Sequence, residues 1–297
     1  MITVTEARAS GRTRRPLDLT NVATVRAVAR RVGLRPSKRL GQHFLVDRHS
    51  LEVIIEALGS GAADDVLEIG CGMGTLTAAL AERARRVVAI DVDPRCVEAT
   101  RITQRARDNV TVLEMDALAL QPENVGLGER WLAAGNLPYQ LTGAILGRLF
   151  EMPRPPAVGV FLVQREVAAR LSSVEQEWSL ATVALRSVAS IERLADLAPA
   201  AFEPPPAVHS SVIRLRPDPA LAPAERRAVL ALARTVFQQR RKTLRQGLAR
   251  ALGGDRATAG AVLGEAGIDP MRRPGTLDLD EWRRLAGRAA RVRPQQR

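Results

Sequence analysis

Apolar and polar positions alternate between two rhythms along this chain. Short, nearly continuous apolar runs occur at Val66-Leu67-Glu68-Ile69, Val87-Val88-Ala89-Ile90, Val110-Thr111-Val112-Leu113-Glu114, Trp131-Leu132-Ala133-Ala134 and Val158-Gly159-Val160-Phe161-Leu162-Val163. Runs of this length read as buried strands of a parallel sheet. Helical periodicity fills the segments between them. The pattern predicts helices at about 21–31 with Thr20 as cap, 48–58 capped by Asp47, 75–83, 141–150, 164–171 and 180–188. Strand–helix alternation is the signature of a doubly wound α/β sheet. Residues 191–197 and 208–215 add two more strands, the second an alternating edge strand.

Between those two strands, Phe202-Glu203-Pro204-Pro205-Pro206 fits neither a helix nor a central strand and reads as a stiff arm that places Phe202. Beyond Pro217 and Pro219 the pattern becomes purely helical, with helices expected at 223–236, 238–250, 257–266 and 278–289. This divides the chain into a basic, disordered extension (1–19), an α/β unit (20–217) and a small all-helical unit (218–297).

The first strand–helix junction carries chemistry. Gly70-Cys71-Gly72-Met73-Gly74 follows the strand directly and opens a helix at Thr75, the nucleotide-binding start of a doubly wound sheet. The spacing is GxGxG rather than GxGxxG, which argues against a nicotinamide dinucleotide. Asp91 ends the next strand, where a carboxylate binds both hydroxyls of a ribose; the other reading is a helix N-cap before Pro94. Asp116 stands after the third strand, within reach of an exocyclic adenine amine. The fourth strand leads into Asn136-Leu137-Pro138-Tyr139. Asn136 offers a side-chain oxygen, Pro138 keeps the preceding backbone extended, and Tyr139, the only tyrosine, offers a flat face. Together they form a receptacle for a planar amine, unless the Tyr merely half-buries itself in a strand-to-helix turn.

Composition narrows the partners. The net charge is +12, and residues 1–39 hold ten Lys or Arg against two acids, Glu6 and Asp18. Such clustering favours a nucleic-acid surface over the bias of an Arg-rich proteome. Arg240, Arg241, Lys242, Arg245 and Arg250 are expected on the second C-terminal helix, as a solvated face or as a phosphate grip. Only two lysines occur, Lys38 and Lys242, and both are read as contacts to a defined partner because Lys and Arg differ at specific sites. Cys71 and Cys96 form no disulfide framework, and the three histidines have no metal-ligand spacing. With no apolar run of membrane-spanning length and no signal segment, the chain reads as cytoplasmic and free of metal and membrane.

Five stretches in order carry a resemblance: Gly41-Gln42-His43-Phe44-Leu45, Glu68-Ile69-Gly70-Cys71-Gly72, Asn136-Leu137-Pro138-Tyr139, Phe202-Glu203-Pro204-Pro205-Pro206 and Gln239-Arg240-Arg241-Lys242-Thr243-Leu244-Arg245. Over about residues 20–290 the chain resembles the bacterial small-subunit (16S) rRNA adenine N6-dimethyltransferases. The resemblance implies a Rossmann-like class I methyltransferase sheet with helices on both faces, S-adenosyl-L-methionine as cofactor, and dimethylation of two adjacent adenosines in the 3′ hairpin of 16S rRNA in the maturing small subunit; the chain is expected to act as a monomer. It implies cofactor contacts at His43, Leu45, Gly70, Asp91, Asp116 and Asn136. Asn136, Leu137, Pro138 and Tyr139 would hold the target base, with Phe202 stacking from the opposite side. His43 stands where the family usually has Asn, Cys71 where it has Pro, and Trp178-Ser179 where it tends to carry Tyr-Gly. A 23S rRNA dimethyltransferase of the macrolide-resistance type shares much of this pattern. An assembly factor with secondary catalysis is the reading from a different class.

Overall fold

The computed structural model describes residues 17–37, 40–172 and 177–292. The basic extension before residue 17, Lys38 and Arg39 lie outside the described residues. In chain order the elements are α1 (Val22–Arg31), β1 (Phe44–Leu45), α2 (Arg48–Leu58), β2 (Asp65–Ile69), α3 (Thr75–Ala81), β3 (Arg86–Asp91), α4 (Pro94–Gln104), β4 (Val110–Glu114), β5 (Trp131–Asn136), α5 (Thr142–Phe150), β6 (Val158–Gln164), α6 (Arg165–Ser172), α7 (Leu180–Arg186), β7 (Ala189–Leu197), β8 (Phe202–Glu203), β9 (Ser210–Pro217), α8 (Pro223–Phe237), α9 (Leu244–Ala251), α10 (Arg256–Glu265) and α11 (Leu279–Val292).

Seven strands form one sheet in the order β4-β3-β2-β5-β6-β9-β7. The first five are parallel, and β9 runs antiparallel to both β6 and β7. Alternation along each strand divides the core in two. Leu67, Ile69, Val88, Ile90, Trp131, Ala133, Phe161 and Val163 face α5, α6 and α7. Val66, Val87, Ala89, Leu132, Ala134, Val160 and Leu162 face α2 and α3. Each buried Leu, Ile or Val contributes about 1.5–3 kcal/mol of transfer free energy, so a one-residue slip in register would invert both faces at once.

Chain order reverses between β2 and β5, the topological switch point where ligands bind at the carboxyl ends of an open α/β sheet. The two strands approach closely here. A Cβ on Gly135 would lie 2.3 Å from the Ile69 carbonyl oxygen, so glycine is required immediately before Asn136.

Local chemistry shifts some expected boundaries. Asn21, not Thr20, caps α1 by accepting from the Ala23 and Thr24 amides; Thr20 bonds back to Asp18. Asp47 caps α2 as expected. Asp93, not Asp91, caps α4, which frees Asp91 from that structural duty. The second C-terminal helix begins only at Leu244, so Arg240, Arg241 and Lys242 sit in the turn between α8 and α9. Lys242 N–H bonds back to the Gln239 carbonyl, and the amides of Leu244 and Arg245 donate across the bundle to the carbonyls of Arg272 and Pro270. The C-terminal helices share a core with Trp178 and Val183 from the sheet side. Trp178 N–H donates to the Gly275 carbonyl at 2.7 Å, and Arg226 pairs with Glu151.

Candidate active site

A cleft of about 700 Å³, its open mouth included, lies over the switch point. The carboxyl ends of β2, β3, β4 and β5 supply Gly70, Asp91, Asp116 and Asn136 to its wall, and His43 and Pro138 come from the loops above. Ile69, Ile90, Met115, Ala117 and Ile145 make part of the lining apolar. A smaller cavity beside it adds Leu45, Glu68 and Thr75 and shares His43, Gly70 and Asn136.

The glycine turn closes over the sheet through backbone bonds. Gly70 and Cys71 both donate to the Ile90 carbonyl. Gly70 has φ 78°, and a Cβ there would stand 3.2 Å from the Asn136 carbonyl oxygen. Asp91 faces this turn: one carboxylate oxygen accepts from Gly72 N–H at 3.1 Å and the other from Asp93 N–H at 2.9 Å. Burial pushes the Asp91 carboxyl above the usual range. Asp116 accepts from Leu118 N–H at 2.8 Å and opens a single 3₁₀ turn.

The residues around Asn136 form a chain of fixed contacts. Its amide nitrogen donates to the His43 backbone carbonyl at 2.7 Å. The side-chain oxygen has no hydrogen-bond partner among the described residues. Leu137 donates its N–H to Leu162 O at 3.1 Å, whereas its own carbonyl accepts no hydrogen bond from the described residues. Its side chain is buried, which anchors the turn. His43 Nδ1 lies 2.8 Å from the Pro204 carbonyl oxygen. A carbonyl only accepts, so Nδ1 carries the proton. The His43 and Tyr139 rings stack with centroids 6.1 Å apart and planes 23° from parallel. Tyr139 OH lies 2.8 Å from Ser210 Oγ, and burial raises the phenol above its ordinary range.

Phe202 departs from the expectation. It is 2% exposed and packs in the core with Leu45 and Leu197. The pairing of β1 with β8, Leu45 opposite Phe202, draws it inward, so it presents no ring to the cleft. The ring that faces Tyr139 is His43.

Two participants escaped the sequence reading. Gln42 accepts from Ser37 N–H and donates to Asp93, strapping the entry loop to the start of α4. Its place inside Gly41-Gln42-His43 was the available signal. Glu68 is buried under the glycine turn, accepts from the Thr77 hydroxyl, and has its carboxyl pushed up to about 8 by desolvation. A lone acid in an apolar strand was its signal.

Comparison with known proteins places the chain in a family. A family profile described as ribosomal RNA adenine dimethylase matches residues 33–284. The chain belongs to the ribosomal RNA adenine dimethylase family. Among its relatives, the ribosomal RNA small subunit methyltransferase A of Anaeromyxobacter sp. strain K is 40% identical over 88% of this chain and 95% of its own. The protein of the same name from Dehalococcoides mccartyi strain 195 is 34% identical over 91% and 95%. The crystal structure of the 23S rRNA methyltransferase ErmE superposes with a TM-score of 0.68 at 28% identity, covering 83% of this chain and 99% of that one. A dimethyladenosine transferase from Plasmodium falciparum shares the fold, with a TM-score of 0.68 and 24% identity over 82% and 96% of the two chains.

Proposed function

We propose that this protein dimethylates N6 of two adjacent adenosines in the 3′-terminal hairpin of 16S rRNA, using S-adenosylmethionine, during cytoplasmic small-subunit maturation and as a monomer. The observation that carries this reading is the bond from the Asn136 amide to His43 O, which turns the Asn136 oxygen into a free acceptor next to the free Leu137 carbonyl. An adenine N6 amine has two hydrogens for two such acceptors.

The cleft suits the cofactor. Left-handed glycines bring backbone against the ligand, Asp91 stands at the ribose position, Asp116 stands where an adenine amine would lie, and apolar side chains flank the slot. His43, Leu45, Gly70, Asp91, Asp116 and Asn136 would hold it. S-adenosylmethionine, when bound, supplies a methyl group already activated on a sulfonium. The protein's own part is positioning and electrostatics. Asn136 and the Leu137 carbonyl accept from the amine, aim its nitrogen and favour the positive charge that develops there. Pro138 keeps that carbonyl exposed, and Tyr139 stacks on the base, an interaction worth roughly 1–3 kcal/mol. The adenosine reaches the site unpaired or splayed from its helix. The C-terminal helices, with Arg240, Arg241 and Lys242 in their first turn, serve RNA recognition.

The test is methyl transfer from labelled S-adenosylmethionine to undermethylated 30S particles and, in parallel, to naked 23S rRNA, with the modified nucleotides mapped. Paired dimethyladenosines in the 16S hairpin are expected. Label in 23S rRNA would instead assign the activity named for ErmE, and tight particle binding with no label would assign an assembly role.

A further inference from the structure

The Pro-rich arm and the strand after it belong to no step of the reaction just described, and Phe202, their expected contribution, is buried in the core. What the segment delivers to the site is different. Its Pro204 carbonyl accepts from His43 Nδ1, and its Ser210 hydroxyl meets the Tyr139 phenol at 2.8 Å.

Ser210 begins β9 and pairs with Gln164 of β6 and with Leu197 of β7. It is fully buried. Strand alternation sends the next residue to the other face, where Ser211 Oγ donates to Asp196. Only Ser210 therefore points toward the Asn136 turn. Tyr139 leaves the end of β5, and its hydroxyl reaches past β6, the strand between β5 and β9, to Ser210. A contact between residues 71 apart in sequence ties the turn to the antiparallel part of the sheet. Rotation of a tyrosine ring about its Cβ–Cγ bond leaves the hydroxyl in place, but swinging the whole side chain about Cα–Cβ breaks this bond. The contact thus fixes where the ring lies.

We propose that Ser210 is a positioning residue for the reaction: its hydroxyl holds the ring of Tyr139 where the target adenine stacks, and the phenol oxygen exists in this chain for that tether rather than for chemistry. This inference rests on the adenine-methylation reading above.

The experiment compares wild type, Ser210→Ala, Ser210→Thr, Tyr139→Phe and the Ser210→Ala/Tyr139→Phe double variant on 30S particles. In parallel it measures quenching of an aminopurine fluorophore placed at the target position of the 16S hairpin RNA, and affinity for S-adenosylhomocysteine by calorimetry. Loss of the tether is expected to lower kcat about threefold to tenfold, the range that one neutral hydrogen bond supports, and to weaken the quenching. S-adenosylhomocysteine affinity and melting temperature should stay at the wild-type values. Ser210→Ala and Tyr139→Phe should give the same defect, the double variant should add nothing to either, and Ser210→Thr, which keeps the hydroxyl, should restore activity. Additive defects in the double variant, or wild-type kcat and quenching in Ser210→Ala, would overturn the assignment. A loss of melting temperature that tracks the loss of kcat across the series would also overturn it, because it would make the contact structural only. If wild type itself leaves the 16S adenosines unmodified, the functional reading falls and takes this one with it; normal wild-type methylation with an indifferent Ser210 removes this one alone.

Discussion

The Asn136 side-chain nitrogen donates to the His43 backbone carbonyl at 2.7 Å, and that bond decides which end of the amide faces the cleft. Had the nitrogen pointed inward, a donor would have met the hydrogens of an exocyclic amine. Asn136→Ala removes the inward acceptor and the latch to the entry loop together. We expect methyl transfer to drop at least about a hundredfold, in the range for loss of a preorganised polar group at a reacting centre. Affinity for S-adenosylhomocysteine should fall much less. Single-turnover transfer beside calorimetry separates the two, and retained turnover would remove Asn136 from the mechanism.

Gly70 stands at φ 78° with the Asn136 carbonyl 3.2 Å from where a Cβ would be. Alanine there meets a backbone conformation costing roughly 1–2 kcal/mol and presses on the strand that ends at Asn136. Gly70→Ala should therefore lower both the melting temperature and the cofactor affinity, which calorimetry and thermal denaturation would register together.

The buried Glu68 carboxyl makes stability depend on pH. Its pKa is about 8 in the folded chain against 4.5 as the ordinary value. Between those values the folded state holds a proton that the unfolded state has released, so stability falls as pH rises. The contribution is whole below pH 4.5 and gone above pH 8. Glu68→Gln cannot ionise and should flatten this part of the profile. The variant is expected to melt above wild type at alkaline pH, with the gap closing toward pH 5. Parallel curves for the two proteins would contradict the burial argument.

Arg240 and Arg241 are exposed in the turn before α9, beside Arg234 and Arg273 along a groove at the junction with Trp178. Replacing both with Ala should weaken RNA binding without changing S-adenosylhomocysteine affinity. It should also make the dependence of log affinity on log salt shallower by about 1 to 2, since each phosphate contact contributes roughly 0.7–0.9 to that slope. Binding titrations at several salt concentrations would show it.

Much of this site was legible in the sequence because strand ends are. An apolar run followed by Gly70, Asp91, Asp116 or Asn136 locates a side chain at the carboxyl edge of a parallel sheet, and the sheet order then gathers those edges. What stayed hidden depends on contacts between distant segments. The family resemblance put Phe202 opposite Tyr139, but in this chain its two-residue pairing with β1 accompanies a ring buried in the core. Arg240 to Lys242 looked helical by periodicity, yet tertiary bonds from Leu244 and Arg245 to Arg272 and Pro270 start the helix later. No local pattern announces that Ser210 meets Tyr139 or that Gln42 meets Asp93. Thr20 and Asn21 are both good caps, and only the positions of the amides distinguish them.

The turn at residues 136–139 and the His43 loop above it draw support from Pro204 and Ser210, which the ribosome adds well after that turn. A growing chain that already possesses the glycine turn, Asp91 and Asn136 still lacks Pro204, which holds His43, and the antiparallel strand whose Ser210 holds Tyr139. The order of synthesis thus places a delay between the birth of the cradle and the arrival of its last supports. The parts of the chain that fix His43 and Tyr139 are thus made after the residues they hold in place.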